Sequence, residues 1–479
     1  MKKQKGSLTI FSTIVLLLVS AFVFALLEGT RHQELKRLAK LQTEVAMDAV
    51  LANYNHKLWE TYHLLGTDYL NANEMVYKFS ETQLAKKKTN FLRLKRESAT
   101  VDNYTLITDG NGQAFINYVS DYMKEYMLYE ALKEIYNQYE AIKSVLDSSQ
   151  IDQTNIEKAI ENIKSLEIEE KRSIGTSGTK KTDEKIASSV LETAQQWLEI
   201  GFLNLVIEDI GAVSEAEASF ENGVLERKLQ NGTNPVEGGC SIEDRILLQQ
   251  YFCTYMSHYQ EEKTDRILAY EVEYLLGGQE RDIKNLEYVI HKLIVVREAA
   301  NFLHLISSPS KSAKAEGIAT LAVGASLNPL VIKAVKMGVL TAWALAESIV
   351  DVRAILAGKR VAFIKSEEYW ATDLENLDEI ASGEVVSKES VNGLVYEDYL
   401  RIFLLLEKEK TLAMRALQIQ EISIQKNTTN PSFRIDTLLT QAGIRVNYSY
   451  ESIFPFQGDW VGLQKWNHNI ITEIEGGYY

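Results

Sequence analysis

Lys2-Lys3-Gln4-Lys5-Gly6 opens the chain, and Ser7 to Leu27 follows without one charged side chain before Glu28-Gly29-Thr30-Arg31 closes the stretch. A helix rises about 1.5 Å per residue, so this segment extends about 30 Å, the thickness of a bilayer's hydrocarbon core. It reads as a transmembrane anchor over 7-27 behind a short basic tail over 1-6. A cleaved secretory signal is the competing reading, and it requires small residues just beyond an apolar core of about 7 to 15 residues. Here the core is longer and ends in Phe24, Leu26 and Leu27, which favours retention. The charges do not orient the span, because Lys2, Lys3 and Lys5 on one side face Arg31, Lys36, Arg37 and Lys40 on the other.

Beyond the anchor, Leu38, Leu41, Val45, Ala49 and Ala52 recur at three and four residues among charges, so the first helix is expected to continue past the membrane. At 479 residues, with 46% hydrophobic and 24% charged side chains, the remainder is long and apolar enough for one large or two to three ordinary folded domains. A net charge of -15 argues against nucleic acid as a partner, for which a basic face is the expected footprint. Five prolines, all near apparent element boundaries, indicate a mainly α protein. The expected architecture is an N-terminal transmembrane helix followed by a large helical body with a small β element near the C-terminus.

Segment by segment, 28-168 reads as an extended helix and helical hairpin region, with stripes at Tyr129, Leu132, Tyr136, Tyr139, Ile142 and Leu146 and at Ile156, Ile160, Ile163 and Leu166. Residues 169-185 read as a linker. Within it, Gly175 to Lys181 lacks the spacing and the preceding strand of a phosphate-binding loop. Residues 186-479 read as a helical body with minor strands. Helices are expected over Asp265 to Leu276, stopped by Gly277-Gly278, and from Asp282 towards Pro309, with Leu286, Val289, Ile290, Leu293, Val296, Ala300 and Leu303 on its apolar side. The apolar stretch from Gly317 to Leu345 reads as a buried hairpin rather than a second span, since Asn328-Pro329 starts a new helix and Lys333 and Lys336 interrupt it. Strands are expected near Val361 and Phe363, over Ile444 to Tyr450 and over Ile471 to Tyr479. The basic runs Lys86-Lys87-Lys88 and Arg93 to Arg96 read as solvated faces.

Chemical motifs are scarce. No zincin, nucleophile-elbow or dinucleotide fingerprint occurs, and His56 and His63 lie two helical turns apart, so no enzyme, cofactor or metal site is expected. Cys240 and Cys253 enclose a short loop that a disulfide would stabilise by roughly 3 kcal/mol, and two free thiols is the equal alternative. Glu271, Glu273, Arg297, Glu298, Glu347, Asp351 and Arg353 lie within otherwise apolar helices. Glu347 and Asp351 share a helical face, a spacing found in acid pairs that hold metal or move protons, but a salt-bridge network with Arg297 and Arg353 is the favoured reading.

Two resemblances complete the sequence reading. Lys5-Gly6-Ser7 followed by a long apolar helix is similar to the leader of type IV pilins and of the pseudopilins of tight-adherence (Tad) systems, which implies cleavage between Gly6 and Ser7 on the cytoplasmic side. Phe11 stands where that pattern has glutamate. The exit Leu26 to Arg31 also resembles a TadE or TadG-type anchor. Further along, Ala269 to Gly278, Val296 to Phe302, Ala342 to Arg353, Gly358-Lys359, Trp370, Tyr396 to Leu400 and Tyr448-Ser449-Tyr450 resemble an uncharacterised family of anchored proteins of Gram-positive, chiefly clostridial, bacteria, often encoded in tight-adherence pilus clusters. The resemblance implies a single-pass protein of the cell membrane with its body extracytoplasmic, acting as a minor pseudopilin or an assembly or adhesion subunit, with lipid and other pilus subunits as partners. An anchored ligand-binding or sensor protein is the alternative.

Overall fold

Helix α1, Lys5–Leu51, runs unbroken through Gly29 in a computed structural model of the protein. The structure describes residues 5–82, 90–125, 129–148, 156–162, 182–234, 236, 238–323, 328–375, 377–428, 431–453 and 467–478. Lys86-Lys87-Lys88 and most of the linker expected over 169-185 lie outside them. The helices used below are labelled α1 to α7. Contacts divide the chain into two compact units: Met1–Tyr122, Asn222–Gly239 and Ile424–Tyr479 form unit one, and Met123–Glu221 with Cys240–Ser423 form unit two.

In unit one, side chains from Leu8 to Leu27 stand exposed on all sides of α1, whereas Leu35, Ala39, Ala46, Met47 and Val50 in its second half are buried. The buried stripe therefore lies one residue further on than expected, a rotation of about 100° around the helix, and leaves Leu41 exposed. Small Ala39 and Ala46 let α1 approach an antiparallel sheet, and buried Thr43 bonds the hydroxyl of Thr472 at 2.5 Å. That sheet has β3, Leu438–Glu451, at its centre, paired with β1, Thr67–Asp68, β2, Lys95–Leu106, and β4, Asn467–Gly477. Ile444, Val446, Tyr448 and Tyr450 of β3 face a core shared with α1 and α2, Tyr69–Thr82. The opposite face is polar, where Arg445 bridges Asp102 and Glu473 at 2.9 and 2.7 Å.

Segment 222–239 borders the outer edge of β2. Thr233 and Asn234 donate their backbone N–H groups to Tyr104 O, and Asp109 accepts from Gly232 N and Leu106 N. At Gly232 an added Cβ would lie 2.4 Å from Asp109 Oδ2 and 2.5 Å from Tyr104 O, so only glycine fits there. The C-terminus closes the unit: Tyr478 donates its hydroxyl to Leu51 O, the last carbonyl of α1, at 2.6 Å.

Unit two is helical. Helices α5, Asp282–Ser307, and α6, Pro329–Leu356, make the most extensive helix–helix contact among the described residues. Asn328 accepts from Leu330 N at 3.1 Å and Pro329 takes the first helical position, so α6 starts where its sequence says. From Gly338 to Val352 every α6 residue is buried, and among the described residues only α1 is long and apolar enough to cross a membrane. The Gly317 to Leu345 stretch thus contributes helix Pro309–Val323 and the core helix α6, with residues 324–327 outside the described set.

Several expectations are corrected. Strand β2 was not expected, because its residues alternate weakly and its register shifts at three places. Val361 makes an isolated bridge with Leu394 rather than a strand. The helix expected from Asp265 begins only at Glu271, since Asp265 has φ 61°; it is α4, Glu271–Gly277, and Gly278 ends it in the left-handed conformation. The stripe from Tyr129 to Leu146 lies on a helix of its own, Tyr129–Ser148.

Candidate functional site

Two features gather polar side chains with more care than packing alone requires. The first is the point where α1 leaves its apolar half. Arg31 sits one turn beyond Leu27, with its side chain only 2% exposed. It pairs with Glu28 at 2.6 Å and donates to Phe91 O at 2.6 Å and to Glu451 O at 3.1 Å. Its guanidinium also lies 5.2 Å from the centre of the Tyr450 ring, and His32 Nδ1 meets the Tyr450 hydroxyl at 2.7 Å. An arginine counted in the sequence as a topology charge is in fact a collar that joins the end of the apolar half of α1 to the end of β3.

The second feature is an ion cluster between α5 and α6. Glu347 and Asp351 lie one turn apart on α6 and, with Arg297 of α5 and Lys365 from the segment after α6, have fully buried side chains. Arg297 donates to Asp351 Oδ2 at 3.1 and 2.6 Å and to Phe363 O at 2.9 Å. Lys365 bridges the two acids, reaching Asp351 Oδ1 at 2.6 Å and Glu347. Asn301 and Ser387 also donate to Asp351, and Glu347 accepts from Ala371 N, Thr372 N and the Thr372 hydroxyl. Burial by itself pushes the Asp351 carboxyl upward, but the Arg297 and Lys365 charges outweigh it and hold the pKa below the ordinary value. Two anions meet two cations, and the surrounding amide, hydroxyl and peptide donors complete the carboxylate shells. This is a closed structural lock rather than an open acid pair that binds a cation.

The other residues singled out by sequence lie elsewhere. Arg353 turns away from both acids and donates to Leu205 O and Ile380 O at 2.6 and 3.0 Å. Glu298 is buried next to Arg297 but points about 100° away around α5. Glu271 and Glu273 of α4 make a second cluster: Glu271 accepts from Ser257 N and meets Arg266 at 3.4 Å, and Glu273 accepts from Tyr259 N at 2.9 Å and the Tyr396 hydroxyl at 2.6 Å. Tyr396 begins α7, Tyr396–Leu406. Cys240 and Cys253 are free thiols. Cys253 is near the end of α3, Ile242–Tyr255, about 16 Å along its axis from Ile242, and Cys240 precedes that first turn by two residues, so the pair lies beyond the about 7 Å Cα limit of a disulfide. His63 bonds the Tyr122 hydroxyl at 3.2 Å, and the described residues contain no group of three potential metal ligands.

Glu273 yields a pH prediction. Burial pushes its pKa up to about 7, against the hydrogen bonds from Tyr396 and Tyr259. The folded state therefore holds a proton that the unfolded chain releases near the ordinary carboxylate value. The contribution is complete below about pH 4.5 and is lost as pH rises to about 7, at up to about 1.4 kcal/mol per pH unit. Glu273→Gln is expected to remove this slope from urea-denaturation profiles taken between pH 5 and 8; an unchanged slope would refute it.

Lys365, Arg31 and the hydroxyls around them were missed by sequence reasoning. Lys365 lies 18 residues from Glu347 and outside any regular element, so no periodicity signals it. Arg31 had a local signal, since it stands i+3 from Glu28, but its main-chain acceptors come from distant segments.

The fold and these sites define a class: a mainly helical two-unit protein with one exposed N-terminal apolar helix and a buried ionic core. More particularly, the chain belongs to a family of unknown function, DUF5702, which matches residues 180–450. That range holds most of unit two and β3, and leaves out α1, β2 and β4. No curated protein and no solved structure matches the chain.

Proposed function

We propose that this protein is a non-enzymatic, single-pass component of a Tad or type IV-like pilus or related surface-assembly system of Gram-positive bacteria, a minor pseudopilin or an assembly or adhesion subunit. The basic tail lies in the cytoplasm, 7-27 crosses the cell membrane, and both units are extracytoplasmic. The supporting observation is the division of α1, whose first half is apolar and exposed while the second is laid across the sheet of unit one and pinned by Arg31. A stiff, uninterrupted helix of this kind presents its apolar half to lipid or to the helices of other subunits while its folded part stays in water.

The proposal has three tests. Leu17→Arg puts a charge at mid-span at a cost of about 3 kcal/mol and is expected to move the protein from the carbonate-resistant membrane pellet to the extractable fraction; a protein that stays in the pellet is not held there by this helix. Deleting the gene is expected to reduce surface fibres or adhesion, and normal fibres and adhesion in the deletion strain contradict the pilus assignment. Because Phe11 replaces the glutamate of the pilin pattern, the purified protein is expected to begin at Met1 or Lys2; a start at Ser7 would establish leader cleavage after Gly6.

A further inference from the structure

The C-terminal end of α6 adjoins a cleft of about 540 Å³ in unit two, separate from the ion cluster. Tyr259, Tyr270, Gln260, Glu262 and residues Leu356 to Gly358 line it. Half-buried Tyr259 is part of the lining, and its ring centre lies 5.5 Å from that of buried Tyr270, at 68°. Glu262 is exposed at the cleft. Gln260 donates its amide to Ile355 O and Leu356 O, which ties the tyrosine loop to the negative pole of a 28-residue helix. Glu271 and Glu273 hold the same loop from behind through Ser257 N and Tyr259 N.

We propose that this cleft binds an organic ammonium group. An aromatic face, a carboxylate and a helix carboxyl end each attract a cation, and an alkylated ammonium suits an open, partly apolar surface better than a hydrated metal ion. Nearby protein cations are directed to backbone carbonyls: Arg353 to Leu205 O and Ile380 O, Arg360 to Gly393 O, and Lys263 to Thr254 O and Met256 O. Lys359 follows Gly358 in the chain and contributes one opposing charge. The site is independent of the pilus assignment and stands or falls by its own measurement.

Calorimetric titration of the full chain in maltoside micelles tests it, using choline, N-acetyl-lysine amide and the uncharged choline isostere 3,3-dimethyl-1-butanol. Saturable millimolar binding is expected for at least one ammonium compound and not for the isostere. Tyr259→Ala, which retains the backbone N–H bonded to Glu273, is expected to weaken binding about fivefold or more. Glu262→Gln changes an exposed side chain, so it serves as a second variant that keeps its fold, and is expected to weaken binding about two- to threefold. Absence of saturation by both ammonium compounds, equal binding of the isostere, or unaltered affinity in Glu262→Gln together with a folded Tyr259→Ala overturns the proposal.

Discussion

Replacing Asp351 with alanine is expected to destabilise unit two by about 3–5 kcal/mol, because the fully buried Arg297 and Lys365 charges lose the carboxylate they share. The carboxylate accepts from Arg297, Asn301, Ser387 and Lys365, so one truncation removes an acceptor from donors on α5, on the segment after α6 and at Ser387, while Lys365 keeps Glu347 and Arg297 keeps Phe363 O. Trp343 and Trp370 both donate their indole N–H groups to Thr372, which in turn bonds Glu347, so tryptophan fluorescence reports on the same layer during urea denaturation. Asp351→Ala combined with Arg297→Met is expected to recover part of the loss, since removing both members of a buried pair costs less than stranding one. A loss below about 1 kcal/mol for the single variant would mean that the lock contributes little.

The pH dependence of Asp351 has the opposite sign to that of Glu273. Its folded pKa is lowered, so its stabilisation is present above the ordinary carboxylate range and is lost as pH falls through the depressed folded value. Between pH 5 and 8 the difference between wild type and Asp351→Asn is therefore expected to be flat. Any slope of the wild type in that interval that Glu273→Gln abolishes belongs to Glu273.

The second large effect is at the collar. Arg31→Ala is expected to cost unit one about 2–4 kcal/mol, because it strands Phe91 O, Glu451 O and the carboxylate of Glu28 together. Arg31→Lys is expected to recover less than half of this. A lysine is a point charge on a flexible stem, whereas the planar guanidinium presents three nitrogens to three acceptors held in fixed directions. Limited proteolysis of the protein in micelles, read as the rate of cutting just beyond the apolar half of α1, measures the loosened joint directly. Arg31→Lys behaving as wild type in both stability and proteolysis would show that the charge alone matters.

How much of this was legible in the sequence differs from feature to feature. The extent of α1 was readable because an uncharged run followed by helical periodicity is a local pattern. Its buried face was misread by one residue, since the sheet prefers Ala39 and Ala46 at close approach and buries Thr43 against Thr472, a contact between positions 429 residues apart. Helix α5 and the Asn328-Pro329 start of α6 followed the local signals of apolar spacing and capping. Strand β2 did not, because Lys95 to Asp102 carries polar residues on the exposed face and three register shifts interrupt the alternation. In the ion cluster, the sequence supplied Arg297, Glu347 and Asp351, misassigned Arg353 and omitted Lys365.

From the sequence alone came the apolar helix at the N-terminus, the mainly helical class, the helix boundaries set by Asn328, Pro329 and Gly278, and the set of charges in apolar surroundings. Each depends on neighbours within a few residues, and local sterics, capping and hydrophobic periodicity act at that range. Only the tertiary structure decided which cation meets which acid, that unit one is assembled from both ends of the chain and the 222–239 segment, and that Arg31 bonds Glu451 across 420 residues. Such pairings carry no local signature. They exist because a cooperative core orders remote segments together, so that each buried charge finds a partner in place of the water it has lost.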